Sequence, residues 1–169
     1  MMNTKALVVI SFGSTFDETR KLDIGGIESA LATAFPDHDQ YRAFTSSIIR
    51  KRLAARGILV DDPEAILHKL SAAGYEEILL QPTHLLHGEE FEQKILALKE
   101  RFLPLFKSII ISRPLIVNDE DYQLAVNALL DQLPLLAQDE GVILMGHGTP
   151  RANNAAHGYT YLKLQELFA

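Results

Sequence analysis

Residues 6–12 read "ALVVISF", and residues 13–36 continue "GSTFDETRKLDIGGIESALATAFP". The first run is apolar and rich in β-branched side chains, which predicts a buried strand. In the second, Leu22, Ile27, Leu31 and Phe35 fall roughly on one helical face. The Gly25-Gly26 pair weakens that helix, and Pro36 supplies its stop. A strand that feeds a helix directly is the first half of a βα crossover unit.

The same change of period recurs along the chain. "DQYRAFT" (39–45) predicts a second strand, and "SSIIRKRLAARG" (46–57) a helix capped by serine and stopped by Gly57. "DDPEAILHKLSAAG" (61–74) carries aspartate at the cap, proline at the first helical position, an acidic first turn and a terminal glycine. "EEILLQP" (76–82) is a third strand, followed by the loop "THLLHG" and a helix from about Glu89 to Phe102. "FKSIIISRP" (106–114) predicts a fourth strand, "NDEDYQLAVNALLDQLPLL" (118–136) a helix, "GVILMG" (141–146) a fifth strand and "NNAAHGYTYLKLQELF" (153–168) a last helix. Buried strands alternating with helices predict an α/β fold: an open, mainly parallel sheet with helices on both faces. The chain is too short for an eight-stranded barrel.

A length of 169 residues predicts one domain, and 47% hydrophobic with 22% charged residues is a globular composition. The absence of cysteine excludes disulfides, thiolate metal sites and cysteine nucleophiles, so any metal must be held by nitrogen and oxygen. The formal charge is −6 and the longest basic run is "RKR" at 50–52, so no nucleic-acid partner is expected. No apolar run approaches membrane-spanning length and no cleavage pattern follows the N-terminal apolar stretch. A cytoplasmic protein without a membrane partner is expected.

In open parallel sheets the ligand sits beyond the carboxyl ends of the strands. That rule gathers "SFGST" (11–15), "TSS" (45–47), "PTHLLHGEE" (82–90), "RPLIVND" (113–119) and "GHGTPRA" (146–152) on one rim, with three of the six histidines. His147 stands between two glycines that clear its surroundings, and imidazole suits both first-row transition metals and proton transfer near neutrality. An ordinary loop histidine explains the same spacing equally well. His84 and His87 are three apart, but the flanking proline and glycine argue against a helical zinc motif. Glu89 reads as part of an acidic first turn, whereas Glu90 could turn into the cleft.

"SFGS" lacks the further glycines or the glycine-lysine of nucleotide-binding loops. The hydroxyls of Ser11, Ser14, Thr45, Ser46 and Ser47 suit a carboxylate-bearing or otherwise anionic ligand. A serine nucleophile is not supported, because "SFGST" is not a nucleophile elbow. Arg42, Arg50, Arg113 and Arg151 lie near strand ends, where guanidinium forks could meet carboxylates. Each also fits a solvent-facing role.

Taken together, "ALVVISFGSTFDETR", "YRAFTSSIIRKRL", "ILLQPTHLLHGEEFEQ" and "VILMGHGTPRANNAAHGYTYL" resemble the anaerobic-type sirohydrochlorin cobaltochelatases, class II chelatases related to ferrochelatase. The resemblance runs through essentially the whole chain. It implies a chelatase-like three-layer domain over residues 1–169, the N-terminal half of a two-domain enzyme whose second domain is absent. The implied reaction is insertion of Co²⁺ into sirohydrochlorin, or its precorrin form, in anaerobic cobalamin biosynthesis. Cobalt would be the substrate metal, and no organic cofactor is implied. Alternatives are Fe²⁺ insertion for sirohaem or haem, or a catalytically inactive half that binds tetrapyrrole or metal.

The resemblance also assigns residues. His147 and Glu90 would be catalytic and metal-binding; Ser11, Phe12, Gly13, Ser14, Thr45, His84 and Arg151 would contact the tetrapyrrole. Matching "HLLHGEEFE" to the family pattern puts the cleft glutamate at Glu90 and the variable acid at Glu89. The second cleft histidine of the family has no counterpart here, so a missing domain or a homo-oligomer is expected to complete the cleft.

Overall fold

The computed structural model describes residues 3–134, 139–143, 145 and 155–168. The chain divides into two compact units, Met1–His84 with Glu89–Pro114 and Leu85–Gly88 with Leu115–Ala169. In the first unit β1 (Lys5–Ser11), β2 (Asp39–Phe44), β3 (Glu77–Pro82) and β4 (Ser108–Ile111) form one sheet of order β2-β1-β3-β4. All three pairings are parallel, with Val8 opposite Tyr41 and Leu80, and Leu79 opposite Ile110. The expected strands 1 to 4 are all present. Because the chain passes from β1 to β2 on one side and then to β3 on the other, the order reverses between β1 and β3. A crevice at the carboxyl ends of the strands is the geometric consequence.

Helix α1 runs as Asp17–Thr19, a π-helical turn Arg20–Ile24 and Gly25–Ala34. It is followed by α2 (Ser47–Ala54) and α3 (Pro63–Ala72). Helix α4 is Glu89–Phe91, a second π turn Glu92–Leu96 and Ala97–Phe102, closed by a 3₁₀ turn Leu103–Leu105. The local signals act as their chemistry predicts. Ser46 accepts from the backbone N–H of Ile49 and Asp62 from that of Ala65, while Pro63 opens α3. Gly57 and Gly74 end their helices at φ 79° and 84°, a region open to glycine at no cost.

One face of the sheet presents Ala6, Val8, Ile10, Ala43, Ile78, Leu80 and Ile109. Against it pack Ile66, Leu67 and Leu70 of α3 and Phe91, Ile95, Leu98 and Phe102 of α4. Each fully buried apolar side chain of this size contributes about 1.5–3 kcal/mol, so this layer carries most of the unit's stability. Residues of opposite parity, Leu7 and Val9, are fully buried as well, and Phe44 joins Ile24 of α1 and Leu53 of α2 in a smaller cluster. Burial on both faces is why these strands read as unbroken apolar runs.

Two expectations need correction. The apolar face proposed for α1 does not face the core: Leu22 and Ile27 are 66% and 46% exposed, while Arg20 and Ile24 are buried. Leu22 lies inside the π turn, where a 3.6-residue count does not hold, and Gly25–Ala34 beyond it buries no side chain on any face. The fifth expected strand, 141–146, is also not formed over its described residues, 141–143 and 145. Ile143 and Met145 are 96% and 94% exposed. Apolarity favours a strand only where a neighbour supplies both a hydrogen-bonding ladder and a surface to cover it.

In the second unit α5 (Asp119–Leu130) begins with a capping box. Asn118 accepts from the N–H of Asp121, and Asp121 accepts from the N–H of Asn118. Helix α6 (Ala155–Phe168) packs on α5 through a buried hydrogen bond of 2.8 Å between the hydroxyls of Tyr122 and Thr160. Both expected helices are present, α5 ending short of the expected 136. Among the described residues no helix is long and apolar enough to cross a membrane.

Candidate active site at the carboxyl ends of the strands

The strand ends of the first unit are tied together one residue beyond the sheet. Thr45 N–H donates to the Ser11 carbonyl (2.9 Å), Thr83 N–H to that of Ile10 (2.9 Å) and Ser46 N–H to that of Phe12 (3.3 Å). The Thr83 hydroxyl donates to Ser11 Oγ at 3.1 Å, directly across the β1–β3 switch point. Ser11 and Thr45 are therefore buried, at 3% and 8% exposure, and form the floor of the rim. Phe12 stands above them, 53% exposed.

Gly13 follows in the left-handed region at φ 98°, and a Cβ there would lie 2.6 Å from Cδ2 of Phe44. Only glycine allows the loop to pass so close over that ring. Ser14 Oγ accepts from the N–H of Phe16 at 3.1 Å, and its carbonyl accepts from Arg20 Nη1 at 3.1 Å. Arg56 clasps the other side, donating to the Thr15 carbonyl at 2.6 Å and to both carboxylate oxygens of Asp17. Arg20 also pairs with Asp17, and the two guanidinium groups hold the Asp17 carboxyl below its usual range. Sequence reasoning missed Arg20 and Arg56. The three-residue spacing from Asp17 to Arg20 was the available signal for the first, and Arg56 carried none.

Glu90 stands on the first turn of α4. Its Oε1 accepts from the Thr45 hydroxyl at 2.5 Å and from Lys94 Nζ at 3.2 Å. This joins the end of β2 to α4 across 45 residues of sequence, and places a half-exposed carboxylate on the rim. Lys94 was also missed, although a basic residue four positions after an acid on a helix is a recognisable pair.

His84 lies at the end of β3 with its ring 6.2 Å from that of Phe91, edge to face. Both ring nitrogens are buried and have no hydrogen-bond partner. Burial pushes its pKa down from 6.5; the Glu90 carboxylate opposes that shift and Lys94 adds to it. The imidazole is therefore neutral at neutral pH and keeps one nitrogen with a free lone pair. Because the folded state disfavours the charged form, stability present above the unfolded pKa is lost as pH falls through about 6.5. A His84→Leu variant is expected to lose stability more shallowly than wild type between pH 7 and pH 5 in urea titrations. Parallel pH dependences would show that His84 is not the group responsible.

The remaining candidates separate clearly. Arg42 forms a bidentate pair with Glu28 of α1, so that fork is filled from within the chain, whereas Arg50 meets Asp62 at 3.2 Å through Nη1 and its buried Nε has no hydrogen-bond partner. Arg113 is exposed beyond β4, and His87 is exposed in a loop that is not helical. A groove of about 380 Å³ runs from Thr45 past Arg50, Asp62 and Lys94 to Arg101, which is paired with Glu64 at 2.6 Å and 3.0 Å. His147 and Arg151 lie outside the described residues. Among the described residues no group of three or more metal-binding side chains is assembled. The structure thus brings together Ser11, Gly13, Thr45 and Glu90, with His84 electrostatically coupled to Glu90.

The family described as cobalt chelatase (CbiK) matches residues 5–169. The sirohydrochlorin cobaltochelatase of Salmonella typhimurium is 40% identical over 154 residues, covering 90% of this chain and 58% of the relative. The sirohydrochlorin cobaltochelatase CbiKC of Nitratidesulfovibrio vulgaris is 29% identical over 153 residues, covering 88% of this chain and 53% of the relative. The chain thus spans little more than half the length of these relatives. A crystal structure of a cobalamin biosynthesis CbiX protein from Marinobacter aquaeolei covers 76% of this chain and 95% of its own at 14% identity and a TM-score of 0.47, too distant a likeness to bear on the site. With a match that runs almost from end to end, the chain belongs to the cobalt chelatase (CbiK) family.

Proposed function

We propose that this chain takes part in inserting Co²⁺ into sirohydrochlorin, acting as a metal chelatase of anaerobic cobalamin biosynthesis. The observation that carries this reading is family membership over residues 5–169, joined to a carboxylate at the strand-end rim. Metal insertion requires partial exchange of the ion's water shell and removal of two ring N–H protons. Imidazole and carboxylate bind a first-row divalent ion with useful affinity without trapping it. Glu90 supplies the oxygen donor and a proton acceptor, and His147 supplies the nitrogen donor. Ser11, Phe12, Gly13, Ser14, Thr45 and His84 contact the tetrapyrrole, with Phe12 as the apolar surface over the floor of Ser11 and Thr45, and Arg151 is a further substrate-binding residue by resemblance. A further domain or a second copy supplies the other wall.

The direct test is anaerobic incubation of the chain with sirohydrochlorin and Co²⁺ or Fe²⁺, over a range of chain concentrations, followed by the absorbance of the metallated ring. Co²⁺ insertion faster than the uncatalysed rate, and lost in His147→Ala, is expected. Faster Fe²⁺ insertion would transfer the reading to an iron chelatase. Tetrapyrrole binding without insertion of either metal would leave a binding half-domain.

A further inference from the structure

We propose that Thr45 and Lys94 are positioning residues that hold one oxygen of Glu90, so that the carboxylate meets Co²⁺ through its other oxygen alone. This rests on the reading of Glu90 as a metal-handling group. Two donors from separate elements converge on Oε1, the Thr45 hydroxyl at 2.5 Å and Lys94 Nζ at 3.2 Å. Among the described residues no hydrogen bond reaches Oε2. Thr45 is a rigid anchor, 8% exposed and fixed by its own N–H to the Ser11 carbonyl. Lys94 sits one turn along on the π-helical segment of α4, with its side chain 49% exposed.

Each donor has a consequence for the ion. A carboxylate chelates a cation through both oxygens only when both are available, and here one is occupied by a buried hydroxyl. The ammonium of Lys94 adds a like charge beside the incoming cation and opposes its capture. Both effects weaken the hold on Co²⁺. A chelatase benefits from that weakness, because an ion bound by two oxygens and no competing charge would stay on the protein instead of passing to the ring nitrogens. Removing either donor should therefore tighten metal binding while slowing transfer, a sign opposite to that of simple structural damage.

The test titrates Co²⁺ alone into the chain by calorimetry and measures kcat and KM for Co²⁺ in the insertion assay. Thr45→Val and Lys94→Met are expected to bind Co²⁺ about tenfold tighter and to turn over about tenfold slower, the scale on which partners of a ligating group act. Thr45→Ser, which keeps the hydroxyl that donates to Glu90, should bind Co²⁺ about as weakly as wild type and not with the tighter affinity of Thr45→Val. Lys94 is at the surface, so its variant reads the sign even where Thr45→Val fails to fold. Weaker or unchanged Co²⁺ binding in these variants, or a Thr45→Ser that behaves like Thr45→Val, overturns the inference. If Glu90→Gln binds Co²⁺ as wild type does, or wild type binds none, the reading of Glu90 beneath it falls instead.

Discussion

Glu90→Gln is expected to lower Co²⁺ insertion by about 10²–10⁴-fold, the range over which a positioned acid or base acts. The amide is nearly isosteric, and its carbonyl oxygen still accepts from Thr45 and Lys94, the two bonds that seat the carboxylate. What it loses is the charge and the second oxygen. An NH₂ group in that place neither ligates a cation nor accepts a ring proton. The thermal midpoint should stay close to wild type, because the Thr45 contact that joins α4 to the end of β2 and the Lys94 contact within α4 both survive. An insertion rate within a few-fold of wild type would remove Glu90 from the chemistry. A collapse of the midpoint would instead show that the charge of Glu90 supports the fold.

Gly13→Ala should have the largest effect on stability among substitutions at the rim. The residue sits at φ 98°, and its new Cβ would lie 2.6 Å from Cδ2 and 2.8 Å from Cγ of the Phe44 ring. Phe44 is fully buried between Ile24 and Leu53 and has little room to withdraw. The backbone strain and the overlap together cost about 2–4 kcal/mol. For a chain of this size that lowers the melting midpoint by roughly 5–15 °C, measurable by calorimetry. Relief in the double variant Gly13→Ala with Phe44→Leu would identify the ring as the obstacle. A single variant with an unchanged midpoint would mean that the loop does not need its close approach to Phe44.

The strands were legible because a parallel strand buried on both faces has no polar positions to interrupt it, as in Leu7, Val8, Val9 and Ile10. The helix ends were legible because capping is chemistry within four residues, as at Ser46, Asp62 with Pro63, Gly57 and Gly74. The buried residues of α1 were not, because Arg20 and Ile24 lie in a π turn that carries no compositional mark, while Gly25–Ala34 buries none. The failure of a strand to form over residues 141–143 and 145 was hidden for a different reason. Apolarity records a tendency to be covered and not the presence of a cover.

The candidate site divides along the same line. Placing Glu90 and Thr45 on one rim needed only the rule that ligands gather beyond the strand ends, together with family resemblance. That the hydroxyl of one holds the carboxylate of the other at 2.5 Å is a contact across 45 residues, which no local pattern encodes. The arginines teach the converse. Arg42 has the chemistry for a carboxylate ligand, yet Glu28 already occupies its fork, and Arg50 already meets Asp62 through one nitrogen. Sequence by itself determined strands β1 to β4, the helices that alternate with them and their caps, since each depends on neighbours in the chain. Only the tertiary structure decided which charges pair, which residues of α1 are buried and which oxygen of Glu90 is held, since these depend on groups that meet only after the crossovers have closed.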